Sequence, residues 1–424
     1  TRLMVTRLDK AGIIATGSTT ERTLEDRFGL GSGWIDIRDF GVVTIDVPGE
    51  ENDFTPTWNA MLAAVAELDT PSDGLGGRPT VYFPPGHYYF YTKPDAINSP
   101  ITIQGAANAT SFNKLYFNNT AGATEGFIRF GSGSSGSNMN KIMIANNQLE
   151  VNAGAAIALY NDDLVERVAD IRFDGVTVTA APIAAALEAA NESEAVLDSW
   201  YYKYWDYCIH ADGSRSYNGL RGLWIQNCNA FFTGKTGLYL DSCNHLNLDN
   251  VSVQVQPTWN GTGEMDAVVV TASYNAENTG DYNGFASVGI SLGLTSVNGR
   301  VIIADPTSAL SDYGGTTDTD PIVYNGTIEV HGVGEYDKQP EILIGPRASH
   351  ISIISSGDVN WITGTVGGAR TVLNNDDEFP LLIVKTESAL YDYGTNSTDK
   401  GGTISVLTPM GLRESPRTFS TVNE

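Results

Sequence analysis

Apolar and polar positions alternate along much of this chain in short runs, each closed by a small or polar turn. IMIANNQL from 142, IRFDGVTV from 171, LWIQNCNA from 223, LNLDNVSV from 246, IEVHGVGE from 328 and ISIISSGD from 351 share the form apolar-x-apolar followed by a turn. Such alternation marks a strand with one face buried. The starts at 223 and 246 are 23 positions apart, as are those at 328 and 351, and those at 142 and 171 are 29 apart. Short strands recurring every ~20 to 30 residues predict a solenoid in which each coil lays its strands on the coil before. The longer intervals, 171 to 223 and 246 to 328, hold either further coils or loops that leave the solenoid, and such loops carry function. The sequences NCN at 227–229 and SCN at 242–244 have the form of an internal ladder of stacked polar residues.

The ends read differently. Residues 1–33 form a neck or linker, in which ERTLEDRF at 21–28 spaces Leu24 and Phe28 as one face of a brief helix. WIDIRDFGV at 34–42 reads as a strand, and DFTPTWNAMLAAVAEL at 53–68 has helical spacing, with the helix itself at 55–68. A glycine pair and the strand PTVYFPPGHYYF at 79–90 follow. The solenoid is expected over 34–369, and 370–424, which includes TISVLTPMG, is expected to form a small β-element shielding the last coil. A propeller or jelly roll also has many short strands, but the irregular period and the Pro-Pro-Gly strand favour a parallel β-helix.

Those opening motifs carry a resemblance. Asp39, Phe40, Gly41 and Val42, then Asp53 and Thr55, then Gly76, Gly77, Val81, Tyr82, Phe83, Pro84, Pro85, Gly86 and Tyr88 resemble the opening segment of the pectate-lyase-like superfamily found in phage tailspikes. GSTTERTLEDRF ahead of them is similar to the linker before the β-helix in many tailspikes. The likeness covers roughly the first 90 residues. The usual Gly-Asp-Gly stretch is replaced by TIDVPGEEN at 44–52. The resemblance implies an all-β, right-handed parallel β-helix, assembled as a homotrimer, joined to the phage tail or baseplate through its N-terminal region, and acting on a bacterial surface polysaccharide.

Composition narrows the partners. The chain has 424 residues, 41% hydrophobic and 18% charged, with 45 glycines, which suits short strands and tight turns rather than disorder. Fifty acidic against 25 basic residues give a net charge of −25, which repels phosphate backbones and anionic lipid, so no nucleic acid is expected as partner. No run reaches the ~18 apolar residues of a membrane span, so no insertion is expected. Cys208, Cys228 and Cys243 cannot build a disulfide framework and read as buried small hydrophobes. Gly-x-Ser-x-Gly, P-loop and His-Glu-x-x-His motifs are absent.

Sugar recognition needs flat apolar faces beside polar groups, and two loops mix them. The first, 198–221, holds Trp200, Tyr204, Trp205, His210, Arg215 and Arg221 as candidate substrate contacts, with Asp206 and Asp212 among them. Its aromatic density suits either a sugar-lined wall or a subunit interface. The second, 256–284, holds Trp259 and Tyr274 with Glu264 and Asp266. Between them LYLDSCN ends on Asp241. Glycoside hydrolysis uses two carboxyl groups about 5–9.5 Å apart, and strands one coil apart are separated by ~4.8 Å. Asp206, Asp212, Asp241, Glu264 and Asp266 are therefore the candidate catalytic set, each of which is also readable as a solvated turn carboxylate.

β-Elimination on a uronate is the rival chemistry, with Tyr207, His210, Arg215 and Arg221 as its groups; the acidic surface disfavours an anionic polymer. A non-catalytic receptor-binding fibre, using the same aromatics for adhesion alone, is the other rival. No cofactor is expected. Asp305, Asp312, Asp318 and Asp320 are oxygen ligands of the kind that hold Ca²⁺, in a stretch that lacks an EF-hand pattern and reads as a solvated loop.

Overall fold

The computed structural model describes residues 12–13, 22–23, 34–41, 47–69, 78–106, 113–118, 125–146, 153–160, 168–180, 205–214, 219–255, 266–272, 287–304, 323–332, 341–344, 348–357, 361–363, 365–366, 369–370, 381–386, 403–407 and 417–418. Parallel strands stack into three sheets around one core, which makes the fold an all-β, right-handed parallel β-helix. Inward side chains of successive coils lie in register. On the first sheet the column runs Ile35, Val81, Ile103, Met139, Phe173, Ile225, Leu248, Leu292 and Ile328, and backbone register carries on to Ile353, Val384 and Val406. The second sheet stacks Tyr88, Leu115, Ile144, Val178, Ala230 and Val253. On the third, Ile128, Ile157, Ile209, Leu238, Val268, Val301 and Ile342 follow one another. Ile103, Ile144 and Val268 have no exposed surface. Branched side chains fit a pleated face packed on both sides by like neighbours.

The corner between the first and second sheets has two residues, the first left-handed and the second buried. Lys141-Ile142, Gly175-Val176, Asn227-Cys228 and Asn250-Val251 repeat it in four successive coils. Asparagine is among the few residues that tolerate this backbone, because its short amide bonds locally. The Asn250 amide donates to Asn227 Oδ1 at 2.8 Å and the Asn227 amide donates to Asp174 Oδ1 at 2.9 Å. The polar ladder thus joins 227 to 250 on the surface. The expected partnership of 227–229 with 242–244 fails because Ser242 occupies a different corner, from third sheet to first.

Register also corrects the coil count. Leu223 pairs with Leu246, so that 23-residue step is one coil. Ile328 pairs with Ile353, two positions past the apparent repeat. IMIANNQL lies on the second sheet, Met143–Asn146, and its coil meets the next through Met139 and Phe173. Between 246 and 328 the strand Ser287–Val297 supplies a coil whose glycines and serines hid its pattern.

The opening helix, α1, spans Thr55–Asp69. Its apolar face, Phe54, Trp58, Met61 and Val65, closes the bottom of the core against Phe83, Tyr88 and Phe90. Asp53 fixes the helix start. Its Oδ1 accepts from Thr55 N at 3.0 Å, Thr55 Oγ1 at 2.8 Å and Tyr91 N at 3.0 Å, and its Oδ2 from Thr92 Oγ1 at 2.6 Å. One carboxylate thereby ties α1 to the end of the strand Gly86–Phe90.

WIDIRDFGV is a strand only over Trp34–Asp36. Ile37–Phe40 is instead a 3₁₀ turn, wound by Asp36, which accepts from the backbone and guanidinium of Arg38; Val42 lies outside the described residues. Arg22–Thr23 pairs antiparallel with Gly12–Ile13, within the segment read as a helix. Past position 369, Leu381–Thr386 and Thr403–Leu407 continue the first sheet in parallel, and Arg417–Thr418 pairs antiparallel with the last of these. No helix among the described residues is long and apolar enough to cross a membrane.

Two tests follow from this packing. Burial would raise the Asp53 carboxyl, but hydrogen bonds from Thr92, Thr55 and Tyr91 outweigh it and hold the group below its usual value of 3.8. A depressed carboxylate stabilises above its unfolded value and loses that contribution as pH falls through the folded one. Asp53→Ala is therefore expected to cost roughly 1–3 kcal/mol at neutral pH, in urea midpoints that converge with the parent's as pH drops below about 4. A gap that does not narrow in acid would count against the carboxylate as the cause. Burial also pushes the Cys208 and Cys243 thiols well up and Cys228 to about 12. The three cysteines are free and buried, so a thiol-reactive chromogen should count none in the native protein and all of them after denaturation.

Candidate functional site

The third sheet bends at a column of small residues. In the strands Ala153–Tyr160, Trp205–Asp212, Asn229–Asp241 and Asp266–Thr271, pairing skips Ala156, Cys208, Gly237 and Ala267 in turn. These residues are buried, as are Ile157, Ile209, Leu238 and Val268 after them, so two consecutive side chains turn inward at this point of each strand. A Cβ on Gly237 would meet Val253 Cγ1 at 2.3 Å and Ala267 O at 2.5 Å, so the bend closes only over minimal side chains. Residues on either side of such an inward pair share the outer face, which is how Tyr207 and His210, three apart, come together. Their rings stack at 4.8 Å between centroids. Tyr239 of the next coil, in register with His210, meets them edge-on at 5.3 Å from His210 and 5.8 Å from Tyr207.

Beside this aromatic cluster Tyr160, Asp212, Asp241 and Thr271 stand in register, the first two part-exposed and the last two buried. Asp212 and Asp241 thus stand on adjacent coils, ~4.8 Å apart along the backbone. Asp212 Oδ1 accepts from Ser214 N at 3.0 Å and Ser214 Oγ at 2.5 Å. Asp241 is only 3% exposed, and its Oδ1 accepts from Ser242 Oγ at 2.8 Å. Burial first, then the charges of Asp241 and Asp212, push the Cys243 thiol up, so both carboxylates act on one point at this corner. The buried Thr271 hydroxyl finds no hydrogen-bond partner among the described residues. At the far end Arg129 Nη1 donates to Tyr160 Oη at 3.5 Å and Nη2 to Pro94 O at 2.6 Å.

The candidates therefore divide. His210, Asp212 and Asp241 meet on one face, with Asp206 part-exposed on the same strand. Asp266 lies on this sheet, in register with Thr236, but its Oδ1 accepts from Arg300 Nε at 2.6 Å, an ion pair about one-fifth exposed. Trp205 corrects the expectation of a sugar-facing ring. It is fully buried, stacked on Phe127 at 6.0 Å and donating from Nε1 to Thr179 O at 3.2 Å. Strand alternation alone would put Trp205 and Tyr207 on one face; a register shift against the next coil falls between them and separates the two. Arg221 is exposed, but on the first sheet, past the corner from Asp212. Trp200, Tyr204, Arg215, Trp259, Glu264 and Tyr274 lie outside the described residues, as do Asp305, Asp312, Asp318 and Asp320. Among the described residues no group of three or more His, Cys, Asp or Glu is placed to hold a metal.

Sequence reasoning missed Tyr239, Tyr160 and Arg129. Tyr239 was within reach, since it stands two residues before Asp241 and shares its face by strand periodicity. Arg129 and Tyr160 become neighbours only through coil register.

Fold and face together define a parallel β-helix protein with a carboxylate-bearing, aromatic outer wall. No protein-family profile matches the chain, and no curated protein matches it in sequence. Among solved structures it is similar to ORF18 of Geobacillus virus E2, at 11% identity and a TM-score of 0.48, over 94% of this chain and 68% of that one. It is similar to the catalytic domain of a GH87 alpha-1,3-glucanase in complex with nigerose, at 11% identity and a TM-score of 0.39, over 90% and 68%. A third is Pantoea stewartii WceF, described as a glycan biofilm modifying enzyme with a bacteriophage tailspike-like parallel beta-helix fold, at 11% identity and a TM-score of 0.37, over 95% of this chain and 45% of that one.

The Asp266–Arg300 pair links adjacent coils below the aromatic cluster. Asp266→Ala should lower the denaturant midpoint by the equivalent of about 1–2 kcal/mol. An unchanged midpoint would remove the bracing role and return Asp266 to the set of chemical candidates.

Proposed function

We propose that this chain is a phage tailspike that binds a bacterial surface polysaccharide and cuts it internally by hydrolysis. The observation that carries the reading is the pairing of Asp212 with Asp241 on adjacent coils, beside the Tyr207, His210 and Tyr239 rings. A sugar ring lies with its C–H face on such a cluster and its glycosidic oxygen among the carboxyls. Asp241, the more buried of the two, takes the role of acid in this reading and protonates the leaving oxygen as the bond to the anomeric carbon breaks. Asp212, held in place by hydrogen bonds from Ser214, attacks that carbon, and water then releases the sugar with Asp241 as base. A one-coil separation lies nearer the ~5–5.5 Å of retaining enzymes than the longer spacing of inverting ones.

Trp200, Tyr204, Arg215, Trp259 and Tyr274 belong in this reading to the substrate contacts, because their segments adjoin in sequence the strands of this face, and Glu264 remains a candidate carboxylate beside them. Three copies stand side by side as a homotrimer, with the N-terminal region as the attachment to the virion tail. Cyclic symmetry suits elongated units that share one long face.

A second reading has its own support. His210 lies between two tyrosines two residues from Asp212, and a histidine so placed is a base for β-elimination on a uronate.

The decisive assay incubates the protein with a panel of purified capsular, O-antigen and exopolysaccharides and follows polymer size. New reducing ends without near-ultraviolet absorbance are expected, with retained anomeric configuration by NMR. An unsaturated uronate would move the assignment to elimination. Asp212→Asn and Asp241→Asn should each lower cleavage by about 100-fold or more while the melting temperature holds; two variants as active as the parent would sink the site. For assembly, light scattering should give three times the 45.4 kDa chain mass. A mass near that of one chain would remove the trimer.

A further inference from the structure

The outer face of the first sheet carries a second constellation, separate from the carboxylates of the third. Arg172 and Trp224 face outward from adjacent coils in register, and Arg172 Cζ lies 4.6 Å from the indole centroid. A guanidinium at that distance holds an aromatic ring in place. The backbone holds it from another side. Gly222 is left-handed, with φ 72°, and a Cβ there would lie 2.6 Å from Trp224 Cη2, so the ring occupies space that any other residue would fill.

Beyond the ring the surface drops. The column that contains Trp224 continues through Asn247, Ser291 and Thr327, short polar side chains, the last two exposed. Arg172 reaches the indole from the preceding coil, so the face it leaves is turned toward this floor. A part-exposed ring, held by two independent contacts at the edge of a polar step, is preorganised for a flat ligand with an apolar face and a hydroxylated rim. The floor offers an amide and two hydroxyls, one per coil at ~4.8 Å intervals, and none of these three side chains is charged.

We propose that Trp224, with the floor of Asn247, Ser291 and Thr327, is a non-catalytic platform that binds an uncharged pyranose unit of the polysaccharide. The platform rests on the glycan reading of the chain but not on the carboxylate chemistry. It sits on a different sheet from Asp212 and Asp241, so it holds polymer while the third sheet works on it. A purely structural Trp224 would brace two coils and leave binding untouched.

Native gels cast with each polysaccharide of the panel measure this directly, using the Asp212→Asn, Asp241→Asn double variant as parent so that the polymer stays whole. Trp224→Ala is expected to weaken retardation about tenfold, a change of ~1.4 kcal/mol, with Trp224→Phe intermediate. Ser291→Arg raises a bulky side chain from the exposed floor without touching the indole, and is expected to weaken retardation with the melting temperature unchanged. It decides the matter even if Trp224→Ala fails to fold. Retardation of Ser291→Arg equal to its parent overturns the platform and leaves the cleavage reading intact. Loss in Ser291→Arg, alongside undiminished cleavage by Asp212→Asn, keeps the platform and removes the carboxylate assignment. A parent that no polymer retards overturns the platform together with the glycan reading.

Discussion

In-register stacking of parallel coils is the constraint on which the rest of this molecule depends. Among the described residues each strand of the coils hydrogen-bonds to the strand one coil away, and with a side-chain period of two a slip by one residue would turn each buried side chain to solvent. Once the inner columns are set by Ile, Val and Leu, the outer columns have no freedom left. Asp212 meets Asp241, and Arg172 meets Trp224, because Ile209 must meet Leu238 and Phe173 must meet Ile225. The face that carries chemistry is thus a by-product of the core's register. Its precision comes from backbone ladders rather than from the polar residues themselves.

The local exceptions are what give that face its shape. A regular strand would leave Tyr207 and His210 on opposite faces, and the inward pair of Cys208 and Ile209 brings them together. On the first sheet a left-handed residue in the same place on neighbouring coils, Asp170, Gly222 and His245, does comparable work. Where that residue is glycine, the indole of Trp224 settles over it. Each device costs the sheet a ladder bond locally and is sustained because the coils above and below repeat it.

Much of the fold was legible in the sequence, and for identifiable reasons. The opening segment was readable because Asp53, Phe83 and Tyr88 each perform a local task that few residues can replace, and α1 begins at the expected position. The step from 223 to 246 was readable because that coil has nothing between its corners but strand. Coils with long excursions were not. Ser287–Val297 is so rich in glycine and serine that its Ile290, Leu292 and Leu294 did not stand out, and IMIANNQL resembled its neighbours while lying on another sheet. For the site, composition pointed to the right strand but not to the direction of each side chain. Trp205 and Tyr207 are two residues apart with the same aromatic character, and only the position of the bulge decides that one is core and the other surface.

The helix α1 has a consequence that reaches beyond the site. A stack of parallel coils has no intrinsic length, since its terminal coil offers the same unpaired backbone and bare apolar cross-section as any interior coil before the next is added. Phe54, Trp58, Met61 and Val65 cover that cross-section at the amino-terminal end with a helix, whose own backbone groups are already paired internally. No second chain can add a coil there. The helix is therefore a terminator in the polymer sense, one that keeps a self-templating architecture from growing into a fibril.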